Sequence, residues 1–256
     1  MFRPSGARAG APSRLRSGAR RGVVSLSHMN SPACLPYGEL LRQLGRRLRA
    51  RWVTKLVGLS VGMTAFFVVY FRLLHHPAFP VTIMPLTALD RLVGFHPGAL
   101  PLYVSLWIYV PLAFALLGHR RDLAAHGVAS VVLSAIGLGL FWRWPTAVPP
   151  LAHDWSALPW FSFLKSVDAA GNACPSLHVA FAVLTAIGLA RLLRTMRAPR
   201  SVRAGNGLWC LGIVYSTLAT GQHVALDALA GAVLGVLVGL PLFFLRPATD
   251  DAGRVR

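Results

Sequence analysis

Acidic side chains are scarce in this chain. Eight Asp and Glu stand against 26 Lys and Arg, and charged residues make up only 13% of the 256 positions. A soluble domain carries about a quarter charged residues, so a water-exposed globule is a poor fit. Cysteine is sparse too. Cys34, Cys174 and Cys210 lie far apart with no CxxC, which speaks against a disulfide framework or a zinc motif, and the odd count against a fully paired set. Cys174 reads as a small packing residue. No GxGxxG, P-loop or GxSxG occurs, so neither a nucleotide-phosphate loop nor a nucleophile elbow is offered. No internal repeat stands out.

Apolar residues are what the chain has in quantity, at 55%. They come in blocks of about 18 to 23, long enough to cross a bilayer core of roughly 30 Å as helix. The fold class expected is all-α: a polytopic membrane protein, a six-transmembrane-helix bundle in one membrane domain. The spans fall at about Trp52–Leu74, Leu100–Gly118, Ala124–Trp142, Pro175–Leu193, Asn206–Gly221 and Val224–Leu245. The fifth is the weakest, being short and glycine-containing. Residues 1–36, rich in Arg, Ser, Gly and Pro, read as a disordered basic N-terminal tail, with an Arg-rich transit peptide and a start at Met29 left open. Residues 37–51 place Leu40, Leu41, Leu44 and Leu48 on one helical face among arginines, the pattern of an amphipathic interfacial helix. The membrane domain then runs over 52–246, followed by a cytoplasmic C-terminal tail, 247–256.

The formal charge of +18 does not point to nucleic acid, because the arginines lie between apolar runs and not on one aromatic-bearing surface. They serve as a topology signal. Eleven arginines precede the first span, Arg120 and Arg121 follow the second, Arg191 to Arg203 surround the fourth connection, and Arg246, Arg254 and Arg256 follow the sixth. With six spans all fall on one side, so both termini are expected to be cytoplasmic. His178 and His223, 45 residues apart, then meet the opposite face at the same depth.

Asp227 is the one acid inside an expected span, where a carboxylate costs about 2.5–3.5 kcal/mol unless paired or facing water. His223, four residues earlier, shares its helical face, so Asp227 can fix the tautomer of His223 and leave the other ring nitrogen free to act. A purely structural His–Asp pair is the alternative. In Pro175-Ser176-Leu177-His178, Pro175 suits a helix start. The Ser176 hydroxyl and the free N–H groups of that turn, including the Leu177 backbone, form a cradle for an anion with His178 at its rim. A capped helix whose His faces interfacial water is equally open. Together the residues suit phosphoryl transfer, with His223 as nucleophile and His178 as acid, and no metal or other cofactor is required. Outer-loop residues such as Asp90, His96 and His153 are expected to be solvated, and Tyr103, Trp107 and Tyr109 to be interfacial aromatics without chemistry.

The sequence here resembles the type 2 phosphatidic acid phosphatase superfamily, six-helix membrane enzymes that use a phosphohistidine. The likeness is clearest over Pro175–His178 and Ser216–Asp227 and looser from Arg91 to Leu245. Leu177, where the commoner motif has Gly, resembles the branch containing inositol phosphorylceramide synthase, as do Ser216 to His223, Asp227 and Gly231. The resemblance implies His178 as acid, His223 as nucleophile and Asp227 as its orienting partner. It implies a lipid-linked or amphipathic phosphate as substrate and partner, in a membrane of the bacterial inner (plasma) type; oligomeric state is not implied. Two features depart from the pattern. The first-motif Lys and Arg-Pro are absent, and Thr217 stands where an Arg is usual. Arg143, between Trp142 and Trp144, and Lys165 are the candidate substitutes for binding phosphate, although Arg143 also suits an interfacial anchor. A lipid-binding protein without catalysis and a metal- or proton-dependent transporter are the competing readings.

Overall fold

In hydrocarbon every backbone N–H and C=O must find a partner within the chain, which makes helices of the long apolar blocks. The structure, a computed structural model, describes residues 35–150 and 171–244. Lys165, His153, nearly all of the N-terminal tail and the C-terminal tail lie outside the described residues. An amphipathic helix, α1 (Tyr37–Arg49), leads into α2 (Trp52–His75). A short helix α3 (Ala88–Val93) and a 3₁₀ turn (Pro97–Ala99) follow, then α4 (Leu100–Val104), α5 (Leu106–Leu116) and α6 (Arg120–Arg143). After the connecting segment come α7 (Leu177–Thr195), α8 (Arg200–Ala219) and α9 (Ala225–Phe244).

Among the described residues five stretches are long and apolar enough to cross a membrane: α2, Pro97–Leu116, α6, α7 and Ala225–Leu242 of α9. The second is broken at Ser105, whose hydroxyl donates to Leu102 O and accepts from Trp209 Nε1. Helix α8, which holds the fifth expected span, has the length at 20 residues but not the apolarity, because Arg200, Arg203 and Asn206 occupy its first turns. Its polar residue is satisfied inside the bundle. Asn206 accepts from the Tyr109 hydroxyl at 2.7 Å and donates to Ala186 O at 3.0 Å, tying α8 to α5 and α7.

Helix α7 is the centre of the bundle and packs on α9, α8, α5 and α6. Its contact with α9 is set by Gly231, Gly235 and Gly239, a small-residue ridge at four-residue spacing. A Cβ at Gly231 would overlap the Ser176 carbonyl oxygen, and one at Gly235 would lie 2.6 Å from Ala180 O. Leu177, Ala180 and Leu184 of α7 join Leu133 and Phe141 of α6 and Leu234 and Leu242 of α9 in one core cluster. A second cluster joins Leu106, Tyr109 and Ala113 of α5 to Leu189, Leu192 and Leu193 of α7 and Ile213 of α8.

Several expectations are corrected. Helix α6 starts at Arg120, ahead of the expected Ala124, so Asp227 is not the only acid in a helix of spanning length. Asp122 lies in its first turn and pairs with Arg191 at 2.9 Å, both side chains little exposed. Helix α7 starts at Leu177 with Ser176 as its N-cap, so Pro175 precedes the helix instead of opening it. In α1 the four leucines divide. Leu40 is buried in the cluster under α5 and α7 with Leu44 packed beside it, while Leu41 and Leu48 are exposed. The helix is therefore docked on the protein as well as amphipathic, and Tyr37 Oη bonds Ser201 Oγ at 2.7 Å. Among the described residues the one sheet is a two-residue parallel ladder, Thr82–Ile83 with Thr146–Ala147, and the described fold is mostly helix.

Candidate active site

The pair of histidines is brought together by two helix starts. Ser176 caps α7, its hydroxyl accepting from Val179 N–H at 3.3 Å, which sets His178 in the first turn. His223 ends the turn between α8 and α9, its N–H donating to Thr217 O at 3.1 Å. One backbone bond locks the two starts together, Ser176 N–H to Asp227 O at 2.9 Å, and it is possible because glycine at 231 lets the backbones approach. The result places His178 Nδ1 3.3 Å from His223 Nε2, far inside the reach two groups need to share one phosphoryl group.

Behind His223, Asp227 is fully buried. Its Oδ2 accepts from Val224 N–H at 3.1 Å and stands 3.7 Å from His223 Nδ1. The first contact caps α9 from its third position. The second is longer than a hydrogen bond, so a small ring rotation is needed before Asp227 grips the imidazole. The nearby Cys174 is held by Thr146, its N–H donating to Thr146 Oγ1 at 2.7 Å. Burial, and secondarily the Asp227 charge, push its thiol up to about 11. It is thus a protonated packing residue and not a nucleophile at neutral pH.

Two residues expected to be bystanders take part. Tyr103 is 2% exposed, and its hydroxyl meets His178 Nε2 at 2.9 Å. Asp90 is not a solvated loop residue. Its Oδ2 accepts from the Thr87 N–H and hydroxyl, each at 2.7 Å, closing a capping box on α3, while Oδ1 accepts from Ala225 N–H at 2.7 Å. The first two N–H groups at the start of α9, Val224 and Ala225, are therefore each held by a carboxylate, and the His223 turn is clamped from both sides. The Thr87–Asp90 spacing was a readable capping signal; nothing local marked its second target. Trp107 is 46% exposed, stacks on Phe67 and lines the cavity at whose end the histidines lie.

His178 and His223 lie at one end of a cavity of about 810 Å³. Tyr103, Asn172 and Leu177 share that end, and the remaining wall is almost wholly apolar, from α2, α5 and α6. Among the described residues no Lys or Arg lines it. Arg143 is exposed and its guanidinium stands 5.3 Å over the Phe79 ring, a cation–π contact; it is not among the residues lining the cavity with the histidines. Among the described residues no three His, Cys, Asp or Glu are grouped to hold a metal ion.

The PAP2 superfamily model matches residues 101–240, which is 140 of the 256 residues and includes His178, His223 and Asp227. No curated protein and no solved structure matches the chain. With more than half its length matched, and with the matched stretch carrying the histidine pair at the head of membrane-crossing helices, this chain belongs to the PAP2 superfamily of phosphatases.

Proposed function

We propose that the protein is a membrane phosphatase or phosphotransferase acting on a lipid-linked phosphate through a phosphohistidine on His223. The observation that carries this reading is the 3.3 Å contact of His178 and His223 at the head of an otherwise apolar cavity. In the proposed reaction the His223 Nε2 lone pair attacks phosphorus. The bond from phosphorus to the leaving oxygen breaks, and His178, as imidazolium, gives that oxygen its proton. Neutral His178 then takes a proton from water or an acceptor alcohol, whose oxygen attacks phosphorus and frees His223. Asp227 holds the Nδ1–H tautomer, and the Ser176 hydroxyl and Leu177 N–H receive phosphate oxygens.

Distances give this scheme a further requirement. Attack needs the nucleophile about 3–3.5 Å from phosphorus and the acid about 2.6–3.2 Å from the leaving oxygen. The two reacting ring nitrogens must then stand roughly 6 Å apart. The resting contact is one that substrate replaces, with phosphate entering between the rings. The arginine-rich helix ends are assigned to the cytoplasm with both termini, and the histidines to the opposite face of a bacterial inner membrane. The Pro175-Ser176-Leu177-His178 form supports the inositol phosphorylceramide synthase-like branch, and with it transfer to an alcohol.

The direct test is phosphate release by the purified protein from lipid phosphates and phosphodiesters, with and without alcohol acceptors. Turnover of at least one class supports the reading. Retention of lipid without turnover of any class favours a lipid-binding protein, the reading that the cation-free cavity wall supports. Two substitutions refine the roles. Tyr103→Phe removes a bond to the imidazolium worth about 1.5–3 kcal/mol, so kcat should fall roughly tenfold or more with KM little changed; unaltered kcat would remove Tyr103 from the mechanism. Arg143 and Lys165 are the proposed phosphate cations. To act, Arg143 must leave the Phe79 ring, so Arg143→Ala should raise KM several-fold if it binds phosphate and leave KM unchanged if it is only an anchor.

A further inference from the structure

We propose that the hydrocarbon chain of the substrate lies in this cavity and that Gly58 and Gly62 of α2 set how deep it reaches. The inference rests on the lipid-phosphate reading above. The cavity has one polar end, at His178, His223 and Tyr103, and an apolar body. Its walls run from Phe71 to Gly58 on α2, from Leu138 to Gly127 on α6 and from Tyr103 to Phe114 on α4 and α5. At 1.5 Å per residue these stretches are roughly 16 to 20 Å long, about or somewhat beyond half of a hydrocarbon core of roughly 30 Å. A headgroup at the histidines and one long chain below it match that polarity and length.

The space exists because α2 stands off from the bundle between two attachments. At the arginine-rich end Lys55, the one buried residue of α2, donates to Arg47 O at 2.7 Å and Ala115 O at 2.6 Å. At the histidine end Tyr70 O accepts from Asn172 Nδ2 at 3.1 Å, and Phe66 and Tyr70 pack on Phe181 and Phe141. Between these attachments the wall of α2 includes Gly58 and Gly62, and a Cβ at either would meet nothing within 4 Å. A larger side chain there would fill the deep end without disturbing the fold, which is the property of a depth-setting position. Burial of apolar chain, at about 0.8 kcal/mol per CH₂, makes depth matter for affinity.

The test uses the purified full chain and two phosphatidic acids, each with a terminal diazirine, one on a hexadecanoyl and one on an octanoyl chain. On irradiation the long probe should label the Gly58 and Gly127 region and the short probe the Phe71 and Tyr103 end. Gly62→Phe, and separately Gly58→Phe, should cut deep labelling by the long probe at least fivefold and leave the short probe unchanged. Labelling confined to Val57, Val61 and Val68, exposed residues of α2, and indifferent to both substitutions would mean ordinary bilayer contact and overturn the proposal. Phosphate release measured on the same samples keeps the two ideas apart. Deep labelling supports the chain site with or without turnover, whereas absent turnover counts only against the catalytic reading.

Discussion

His223→Ala protein is expected to fold, to retain lipid and to release no phosphate. Among the described residues, the substitution removes the one ring that both faces the proposed phosphate position and has a carboxylate behind it. Its Nε2 meets His178 at 3.3 Å, and its Nδ1 lies 3.7 Å from Asp227. Loss of a nucleophile that acts as a unit with its partners lowers turnover by about 10⁴ or more. Stability should change far less, since the ring is hydrogen-bonded to His178 and only approaches Asp227, at 3.7 Å, and a bond of that kind is worth about 0.5–1.5 kcal/mol. The decisive measurement is a quench at alkaline pH with phosphorus-labelled substrate. Label should appear on the wild-type protein, be absent from His223→Ala and accumulate in His178→Gln given a substrate with a good leaving group, because the base for the second step is then missing. Undiminished phosphate release by His223→Ala would remove the phosphohistidine from the mechanism.

Gly231→Val should be the most damaging substitution outside the histidines and Asp227. A Cβ there would overlap the Ser176 carbonyl oxygen and lie 3.2 Å from Ser176 Cβ. The oxygen belongs to backbone, which cannot swing aside as a side chain would. The helices must part, and the Ser176 N–H to Asp227 O bond that registers His178 against His223 goes with them. Overpacking of this kind costs about 1–3 kcal/mol and occasionally more. The misplacement alone, of the order of 1 Å, lowers rate about 100-fold. Gly231→Ala, the milder form, should still fold while losing most activity. Gly139→Ala on α6 is the control, because its Cβ meets nothing within 4 Å; there helix propensity favours Ala by about 1 kcal/mol, and stability should hold or rise. If Gly231→Val and Gly139→Ala behave alike in thermal melting and turnover, close approach at Gly231 is not what assembles the site.

What could be read in the chain differs from what could not in a physical way. Apolar block length determined the helices, and arginine placement put the starts of α7 and α9 at one end. Pro175–His178 and His223–Asp227 were recognisable because each is a short motif whose chemistry depends on neighbours within one helical turn. Helix α8 was weak in the sequence for the reason that it is weak as a span: its first turns carry Arg200, Arg203 and Asn206, and what makes Asn206 tolerable is a pair of bonds to α5 and α7. Leu40, Leu41, Leu44 and Leu48 gave the amphipathic pattern of α1, but a pattern cannot say which residues the protein itself covers; the structure packs Leu40 and Leu44 on the bundle and leaves Leu41 and Leu48 exposed.

By itself, then, the sequence determined an all-helical membrane protein with a His–His–Asp constellation, because periodicity, hydropathy and motif spacing are local properties. Tertiary structure alone decided the surroundings of that constellation. Tyr103 reaches His178 across 75 residues of chain, and Asp90 reaches Ala225 across 135. The cavity is bounded by α2, α4, α5, α6 and α7, and Lys55 and Tyr70 attach α2 to the bundle on either side of it. A tyrosine near a helix start and an aspartate in a cap look the same in sequence whatever they touch. Only packing determines whether such a side chain meets water, lipid or the ring nitrogen of a histidine.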